Sequence, residues 1–421
     1  MFNRTKNLQL SIIKQIELRA AQYPDVISLA QGVPNFDTPE CIKRRVELAL
    51  NRGVVAKYSL CPGLPELREL IEISLARENM FYDWQKEIIV TAGSIEGITA
   101  ALLAITEPGD EVIIPEPTYT SYREVIYLAG CKPIFVSLDE KNNWAFDLEK
   151  FKQAITDKTK AIFYCNPNNP TGTIYTKKQL LGLAELAEQH NLYLISDEVY
   201  KDFVFNTNGH ECETNSRESR IFSLAELPKL RKRVIRLFSF SKAYAMTGWR
   251  VGYLHSDESV AREILKVHDS LVTCAPVISQ YAAMGALEMG DGNVKKFNQE
   301  YKKRRDLICS RLDRLSNVFN YIKPDGAYYV FPALTPGPSP ARALRERGAM
   351  DSSLSWKFAL DLLDKIQVAV VPGIAFGPNG EGHVRMSFGR SESDIERAFE
   401  RMEKLFNQCQ MPKSKYQINI K

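Results

Sequence analysis

Residues Lys160 to Ser196 read KAIFYCNPNNPTGTIYTKKQLLGLAELAEQHNLYLIS, and this stretch decides the fold. It begins and ends with the short apolar runs KAIFYC and LYLIS, which are typical of buried strands. Between them, leucines and alanines recur at helical spacing, which predicts an amphipathic helix over residues 178–190. A strand, a helix and a second strand in this order predict two parallel strands joined by a crossover helix.

The same alternation continues on either side of that stretch. Short runs of β-branched and aromatic residues predict three further buried strands, which are EVIIP (111–115), KPIFVSL (132–138) and VIRLFSF (234–240). The strands are therefore expected to run mainly parallel in one sheet that helices cover on both faces. This is an α/β fold, in which functional side chains gather at the carboxyl ends of the strands.

The two ends of the chain are predicted to form a second, smaller unit of mixed helices and strands. We assign a large domain to residues 46–285, and a small domain to residues 1–45 together with residues 286–421. The pattern from Val277 to Leu315 is helical with little interruption, which predicts a long helix linking the two domains.

Three features are expected in the small domain. Short strands are predicted around Tyr328 and Val368, and an amphipathic helix from Ser393 to Phe406, capped by its first serine. Residues 333–350, ALTPGPSPARALRERGAM, carry three prolines within five residues, followed by charged residues. This composition excludes a strand and predicts a surface insertion without a catalytic role.

Composition excludes several classes of protein. The chain has 421 residues, of which 44% are hydrophobic and 25% charged, and its net charge of +4 is too small and too dispersed for a nucleic-acid footprint. Its eight cysteines form no CxxC pair and its five histidines form no HxxxH pair, so no metal site is expected. Without a secretory signal or a long apolar span, we expect no membrane association and a cytoplasmic location.

The segment SFSKAYAMTGWRVG, from Ser239 to Gly252, carries the first chemical signal. It follows a predicted strand with small hydroxyl residues, then Lys242, and then Arg250 eight residues later. A lysine at this place is delivered to the active edge of a parallel sheet. A lone lysine after a strand is nevertheless more often a solvated surface residue, so this motif needs support from others.

Three other motifs also follow predicted strands. YCNPNNPTG forces a tight turn from which Asn169 can aim its amide outward. ISDEVY places Asp197 at a strand end, where a half-buried carboxylate needs a cationic partner. TAGSIEG leads from strand to helix, and its backbone N–H groups can hold a phosphate at the helix N-terminus. Each motif alone is compatible with a structural role, such as a turn or a helix cap.

Taken together, these motifs supply what one cofactor needs. A lysine forms a Schiff base, an aspartate pairs with a pyridinium nitrogen, and a helix start with a nearby serine and arginine holds a phosphate. These groups indicate pyridoxal 5′-phosphate.

The chain resembles the class I/II aminotransferases, which are fold-type I enzymes dependent on pyridoxal phosphate. The motifs that carry the resemblance occur in the family's order, which is TAGSIEG, PEPTY, NPNNPTG, SDEVY, SFSKAYAMTGWRVG and RMSFG. The resemblance extends from Ala30 to about Phe406 and is interrupted by the insertion at 333–350. It implies a large domain built on a mainly parallel seven-stranded sheet sandwiched by helices.

The resemblance also implies roles for residues around the cofactor ring. Lys242 matches the Schiff-base lysine, which is also the base that moves the substrate proton. Asp197 matches the carboxylate that keeps the ring nitrogen protonated. Asn169 and Tyr200 match the residues that hydrogen-bond the phenolic oxygen, and Tyr119 matches the aromatic residue that stacks on the ring.

Phosphate and subunit contacts follow from the same resemblance. The phosphate is expected to contact the backbone of Ser94 and Ile95, the Ser239 hydroxyl and the Arg250 guanidinium. Tyr58 matches a tyrosine that reaches the phosphate from the neighbouring subunit. The resemblance therefore implies a homodimer with composite sites.

Substrate contacts are implied near both ends of the chain. Arg385, in HVRMSFG, matches the arginine that binds the substrate α-carboxylate, and Gly32 matches a backbone contact to the same group. Both belong to the predicted small domain, so substrate binding can draw that domain closed over the cofactor.

The resemblance implies a ping-pong transaminase that moves an amino group from an amino acid to a 2-oxo acid. In one branch of related aspartate aminotransferases, a lysine matching Ile95 pairs with the distal carboxylate of the substrate. An isoleucine cannot neutralise that charge, so we expect a neutral or aromatic donor. An aspartate aminotransferase remains an alternative, since an arginine from the partner can supply the charge. A carbon–sulfur β-lyase is a second alternative on the same scaffold.

Overall fold

The computed structural model describes residue 8 and residues 10–205, 220–335 and 353–408. The decisive stretch folds as predicted, with strands Thr159–Cys165 and Tyr193–Asp197 on either side of the helix Lys177–Gln189. This helix begins where Thr176 and Gln179 cap each other's backbone N–H groups. Its leucine and alanine face is buried against the core.

The strands are named here in chain order. They are β1 (Ile27–Ser28), β2 (Ile88–Thr91), β3 (Glu111–Glu116), β4 (Lys132–Ser137), β5 (Thr159–Cys165), β6 (Tyr193–Asp197), β7 (Val234–Ser239), β8 (Gly252–His255), β9 (Phe319–Asn320), β10 (Tyr329–Val330), β11 (Ala333–Leu334), β12 (Val368–Ala369), β13 (Val371–Pro372) and β14 (Val384–Ser387).

The α-helices are likewise numbered along the chain. They are α1 (Ile12–Ala20), α2 (Glu40–Asn51), α3 (Pro65–Arg77), α4 (Ser94–Ile105), α5 (Thr120–Leu128), α6 (Leu148–Ala154), α7 (Lys177–Gln189), α8 (Phe240–Ala243), α9 (Glu258–Val272), α10 (Val277–Met289), α11 (Asp291–Asp313), α12 (Leu354–Ile366) and α13 (Glu392–Gln408).

A seven-stranded sheet forms the centre of the fold, with the order β2-β8-β7-β6-β5-β3-β4. Neighbouring strands from β7 through β4 run parallel, whereas β8 is antiparallel to both β2 and β7. Every residue of β3 and β7 is buried, so both faces of the sheet are covered. The predicted α/β class with a mainly parallel seven-stranded sheet is confirmed.

Shorter strands from the C-terminal part associate with the N-terminal segment. β1 pairs in parallel with β12, and β14 lies between β10 and β13. The two domain boundaries that we predict fall within helices, since residue 46 lies in α2 and residue 285 lies in α10. These two helices pack on each other. The division into 46–285 and 1–45 with 286–421 stays a prediction.

The structure corrects the predicted linking helix and tail helix. The helical stretch after Val277 is interrupted at Gly290, which separates α10 from α11. A Cβ on Gly290 would lie 2.4 Å from the Ala286 carbonyl oxygen, which explains why glycine occupies this junction. The tail helix begins at Glu392 and not at Ser393, since the hydroxyl of Ser391 accepts the Asp394 N–H at 3.1 Å.

The exclusion of strand structure from residues 333–350 is wrong at its first two residues. Ala333 and Leu334 form β11, which pairs antiparallel with β9. These residues precede the first proline of the insertion and therefore keep the N–H groups that a ladder needs. The rest of the insertion, residues 336–350, lies outside the described residues. Within the described parts of the chain, no helix is long and apolar enough to cross a membrane.

Candidate active site

Asp197 is the last residue of β6 and lies in the middle of the sheet's carboxyl edge. Its carboxylate accepts hydrogen bonds from the Tyr122 hydroxyl at 2.9 Å and from the Val199 N–H at 3.1 Å. Burial raises the pKa of the Asp197 carboxyl to about 6, in opposition to these hydrogen bonds. Because burial disfavours its charged form, this carboxylate is stabilised as an anion by any cation placed against it.

Lys242 reaches the same edge from α8, the single turn that follows β7. Its Nζ donates a hydrogen bond to the Gly32 carbonyl oxygen at 2.6 Å. Burial, reinforced by the positive charges of Arg385 and Arg250, lowers the pKa of the Lys242 ammonium to about 8. A substantial fraction of this lysine is therefore a neutral, nucleophilic amine close to physiological pH.

An anion cradle lies where α4 begins. Gly93 has a φ of +82° and directs the chain into the helix, whose first N–H groups at Ser94 and Ile95 precede any intrahelical acceptor. A Cβ on Gly93 would lie 2.6 Å from an Nη atom of Arg250, so glycine is needed for the guanidinium to approach. The cradle joins fixed positive charge to free backbone donors, which is an anion-binding arrangement.

Ser239 closes the other side of this cradle. Ser239 on β7 pairs with Gly252 on β8. Gly252 in turn lies close to the start of α4, because a Cβ on it would lie 3.2 Å from the Ser94 nitrogen. The Ser239 hydroxyl donates to the Ser241 hydroxyl at 2.8 Å. Ser94, Ser239 and Arg250 are thus brought together as the motif order predicts.

Arg385 lies on β14 with only 1% of its surface exposed. One Nη donates to the Asn169 side-chain oxygen at 3.0 Å, and the other donates to the Ala30 carbonyl oxygen at 2.6 Å. The Nε has no hydrogen-bond partner, although it is buried. The Ala30 carbonyl lies two residues before Gly32, so the guanidinium is held next to the Gly32 segment. A guanidinium with an open buried donor is equipped to bind a carboxylate.

The remaining predicted residues surround these groups less closely. Tyr119 is half-buried and lies edge-on to Tyr122, with ring centroids 5.4 Å apart. Ile95 is half-buried on the first turn of α4. Tyr58 is 83% exposed on this single chain, so its predicted contact with a neighbouring subunit stays a prediction.

Three residues of the site were missed by sequence reasoning. Tyr122 holds Asp197, and it follows Tyr119 by three residues in PEPTYTSY, a spacing that places both on one side of a helix. Ser241 directly precedes Lys242, so its place in the cradle was readable from SFSK. Tyr329 contacts Tyr200 through their hydroxyl groups at 2.8 Å, and nothing in its local sequence signals this contact.

The donor set fits pyridoxal phosphate. The cradle offers anion contacts for the phosphate, while the neutral fraction of Lys242 suits Schiff-base chemistry and Asp197 suits a ring cation. Within the described residues, no group of three or more histidine, cysteine, aspartate or glutamate side chains is arranged to hold a metal ion.

Comparison with known proteins agrees with this class of site. The family description "Aminotransferase class I and II" matches residues 24–402, and the chain belongs to this family. It is a transaminase, and enzymes of this class depend on pyridoxal phosphate and act on amino acids and 2-oxo acids.

Individual relatives differ in the substrates that their names state. The chain is 36% identical to an aspartate aminotransferase of Pyrococcus abyssi over 95% of this chain and 98% of the relative. It is 34% identical to an aromatic-amino-acid aminotransferase of Thermococcus litoralis over 96% and 98%. Among solved structures, the aspartate aminotransferase of Thermus thermophilus with maleate has a TM-score of 0.84 and 32% identity, over 96% of this chain and 99% of that one.

Proposed function

We propose that this chain transfers an amino group from an amino acid to a 2-oxo acid in a ping-pong cycle. The observation that carries the proposal is the charge balance of the sheet edge, where Lys242, Arg250 and Arg385 face a single carboxylate, Asp197. A phosphate at Arg250 and a substrate carboxylate at Arg385 neutralise this excess of positive charge. The site is therefore complementary to two anions bound together.

The cofactor's parts are assigned to separate groups of the site. The phosphate is held by Ser239, Arg250 and the backbone of Ser94 and Ile95. Asp197 pairs with the ring nitrogen, and Tyr122 keeps that carboxylate oriented. When bound, the cofactor supplies a ring that accepts electrons from the substrate's α-carbon.

Asn169 and Tyr200 lie in the segments that follow the neighbouring strands β5 and β6. Both are proposed to donate hydrogen bonds to the phenolic oxygen. Tyr119 is proposed to pack on the ring face. These residues orient the ring, and Asn169 and Tyr200 are themselves buried.

Lys242 is proposed to move the proton that transamination requires. Its amine takes a proton from the substrate's α-carbon and returns it on the other side of the transferred nitrogen. A pKa of about 8 suits this task, because the group changes protonation readily near the working pH. The Gly32 carbonyl, which accepts from Nζ at 2.6 Å, holds the amine on the substrate side.

The substrate's α-carboxylate is assigned to Arg385. Its two Nη atoms donate to Asn169 and Ala30, whereas its Nε has no hydrogen-bond partner. A carboxylate can accept from Nε and Nη in the bidentate geometry that guanidinium favours. Closure of the proposed small domain, residues 1–45 with 286–421, is expected to accompany this step.

The donor is proposed to be neutral or aromatic. Ile95 occupies the first turn of α4, where it presents an alkyl group rather than a charge. Burial of an unpaired distal carboxylate beside it costs several kcal/mol, roughly. Relatives named for aspartate and for aromatic amino acids match this chain almost equally, so aspartate remains the alternative donor.

The test separates the two half-reactions. The purified protein is loaded with pyridoxal phosphate and mixed with one amino acid at a time, while visible absorption is followed. A true donor removes the visible band without any acceptor, and a 2-oxo acid such as 2-oxoglutarate restores it. Release of pyruvate, ammonia and a thiol from a cysteine conjugate would instead identify the carbon–sulfur β-lyase.

A homodimer is proposed because the surface around Tyr58 is apolar and exposed on a single chain. Tyr58 is 83% exposed and Leu60 is 61% exposed, both in the loop before α3. Burial of such side chains by a second copy would bring Tyr58 to the partner's phosphate site. Sedimentation equilibrium tests the stoichiometry, and a cytoplasmic location stays a prediction.

A further inference from the structure

Tyr329 connects two parts of the active site that sequence reasoning treated separately. It lies on β10, where it pairs with Ser387 of the strand that carries Arg385. Its hydroxyl lies 2.8 Å from the hydroxyl of Tyr200, which follows the end of β6. The ring of Tyr329 lies beneath the Arg385 guanidinium, whose central carbon is 4.4 Å from the ring centroid.

The position of Tyr329 is tightly constrained. A Cβ on Gly32 would lie 2.0 Å from the Tyr329 hydroxyl oxygen, so only glycine leaves room for it. Tyr200 meets the Tyr329 ring edge-on, with centroids 5.6 Å apart, and both tyrosines are buried. This packing fixes the position of the Tyr329 hydroxyl relative to the Tyr200 hydroxyl.

The number of hydrogens decides the direction of this hydrogen bond. Each tyrosine hydroxyl has one hydrogen to donate. If Tyr200 gives its hydrogen to the cofactor's phenolic oxygen, as the proposed function requires, then only Tyr329 can donate within the pair. A donor that is itself a hydrogen-bond acceptor becomes a stronger donor through polarisation.

We infer that Tyr329 is a positioning residue that strengthens the hydrogen bond from Tyr200 to the cofactor's phenolic oxygen. This inference rests on the proposed function, because it takes Tyr200 as the donor to that oxygen. Through its ring, Tyr329 also contacts the guanidinium that is assigned to the substrate carboxylate. Tyr329 thereby contacts both Arg385 and Tyr200, the residue proposed to set the pKa of the Lys242–cofactor linkage.

The direction of the effect follows from charge. A strong donor to the phenolic oxygen withdraws negative charge that would otherwise hold the proton of the neighbouring Lys242 nitrogen. Loss of the Tyr329 hydroxyl weakens that donor, and the nitrogen then keeps its proton to higher pH. The pH midpoint of the visible absorption band is expected to rise by about 0.3–0.6 of a pH unit.

The experiment is a spectroscopic pH titration of the protein loaded with pyridoxal phosphate. Four variants are compared with wild type, which are Tyr329→Phe, Tyr200→Phe, the double variant of these two, and Tyr301→Phe. Tyr301 is the matched control, since it belongs to the same buried aromatic cluster but its hydroxyl has no hydrogen-bond partner. Circular dichroism establishes that each variant is folded.

The inference predicts a raised midpoint for Tyr329→Phe, a larger rise for Tyr200→Phe, and no change for Tyr301→Phe. In the double variant, loss of the Tyr329 hydroxyl adds nothing to the loss of Tyr200, because the effect acts through Tyr200. An unshifted midpoint in Tyr329→Phe, or an additive double variant, would overturn it. Absence of a visible band in wild type would instead overturn the proposed function.

If Tyr329→Phe does not fold, Gly32→Ala provides a second way to displace the same hydroxyl. The added methyl group has no space beside the Tyr329 oxygen and must move it away from Tyr200. The midpoint is expected to rise here too, but Gly32→Ala should add nothing in a Tyr200→Phe background. Because the Gly32 carbonyl also accepts from Lys242, a rise that persists in that background, or an unchanged midpoint in the single variant, would count against the inference.

Discussion

Two clusters of buried charge lie in this fold, and they are built on opposite principles. The Arg236 network consists of Glu78, Glu198, Lys201 and Arg236. Arg236 donates to Glu198 at 2.5 Å and to Glu78 at 3.3 Å, and Lys201 donates to Glu78 at 2.7 Å. Both cations are therefore paired with carboxylates within one set of hydrogen bonds, and Lys201 also donates to a third carboxylate, Asp202, at 3.1 Å.

The cations of the active site are not paired with carboxylates in this way, since Lys242 and Arg385 donate to carbonyl and amide oxygens. Although burial opposes it, the carboxylates of the network raise the pKa of Arg236, which stays charged. In the active site, burial and neighbouring cations lower the pKa of Lys242 to about 8, and burial raises that of Asp197 to about 6. A satisfied cluster stabilises the fold, whereas an unsatisfied cluster awaits a ligand.

The two clusters meet at two consecutive residues, Asp197 and Glu198. Asp197 belongs to the active site and Glu198 to the network, and alternate side chains of a strand point to opposite faces. Glu198 accepts from Ser223 at 2.6 Å and from Ser196 at 3.0 Å in addition to Arg236. The network thus anchors the chain immediately after Asp197.

The largest expected effect is on activity. Lys242→Ala should lower kcat by at least about 10⁴-fold and abolish the visible band of the loaded protein, since it removes both nucleophile and base. The variant should stay folded, because it removes a buried cation that other cations already oppose. Lys201→Ala is the contrasting variant, since it leaves Glu78 buried with one cation fewer and should unfold at lower denaturant concentration. Normal turnover in Lys242→Ala would refute the assignment.

Asp197→Asn should lower kcat by about 10³-fold or more, because an amide cannot hold a proton on the ring nitrogen. The cofactor should still bind, since the phosphate cradle at Arg250 is intact. Steady-state kinetics together with equilibrium dialysis of the cofactor measure the two effects separately. Wild-type kcat in this variant would mean that another group pairs with the ring nitrogen.

Glu198→Gln should act mainly on stability. Removal of one partner from a buried pair typically costs about 3–5 kcal/mol in the free energy of unfolding, because Arg236 is left uncompensated. Replacement of both partners, in Glu198→Leu with Arg236→Met, should recover much of that loss. Urea unfolding of both variants tests this, and an equal loss in the two would show that the charge pairing is not the cause.

A pH-dependent prediction follows from the lowered pKa of Lys242. Its folded pKa of about 8 lies below the usual 10.5, so the unfolded chain binds more protons between these pH values. The stability of the cofactor-free protein should therefore rise with pH across this window. Lys242→Met should be more stable than wild type by roughly 3 kcal/mol at pH 7, and the gain should vanish near pH 10.5. A gain that does not depend on pH would contradict this explanation.

The smallest expected effect concerns the donor. Ile95→Lys adds a further cation to a site that already has an excess of them, and should raise kcat/KM for aspartate relative to phenylalanine by about tenfold. Wild type should prefer phenylalanine or methionine. A tenfold preference of wild type for aspartate, or no response to the lysine, would refute the proposed donor class.

Sequence reasoning succeeded where a local pattern has one physical solution. Apolar runs separated by an amphipathic helix can bury their side chains only in a layered α/β sheet, so the central strands were predictable. It failed at Gly290, where the helical pattern of the sequence continues through a glycine that ends one helix. It also failed at Ala333–Leu334, because the prolines of the insertion excluded a strand only for the residues that follow these two. The motif residues Asp197 and Lys242 were recognisable because one ends a strand and the other lies in the turn that follows the next strand.

The sequence alone determined the class of fold and the transaminase family, and it predicted which lysine, aspartate and arginines form the site, because these depend on local periodicity and on motifs of contiguous residues. Only the tertiary structure decided what surrounds them. The contacts of Tyr122 with Asp197, of Tyr329 with Tyr200 and of Arg236 with Glu198 join residues 75, 129 and 38 positions apart. No local pattern encodes such pairs, since they arise when packing of the sheet brings distant strand ends together.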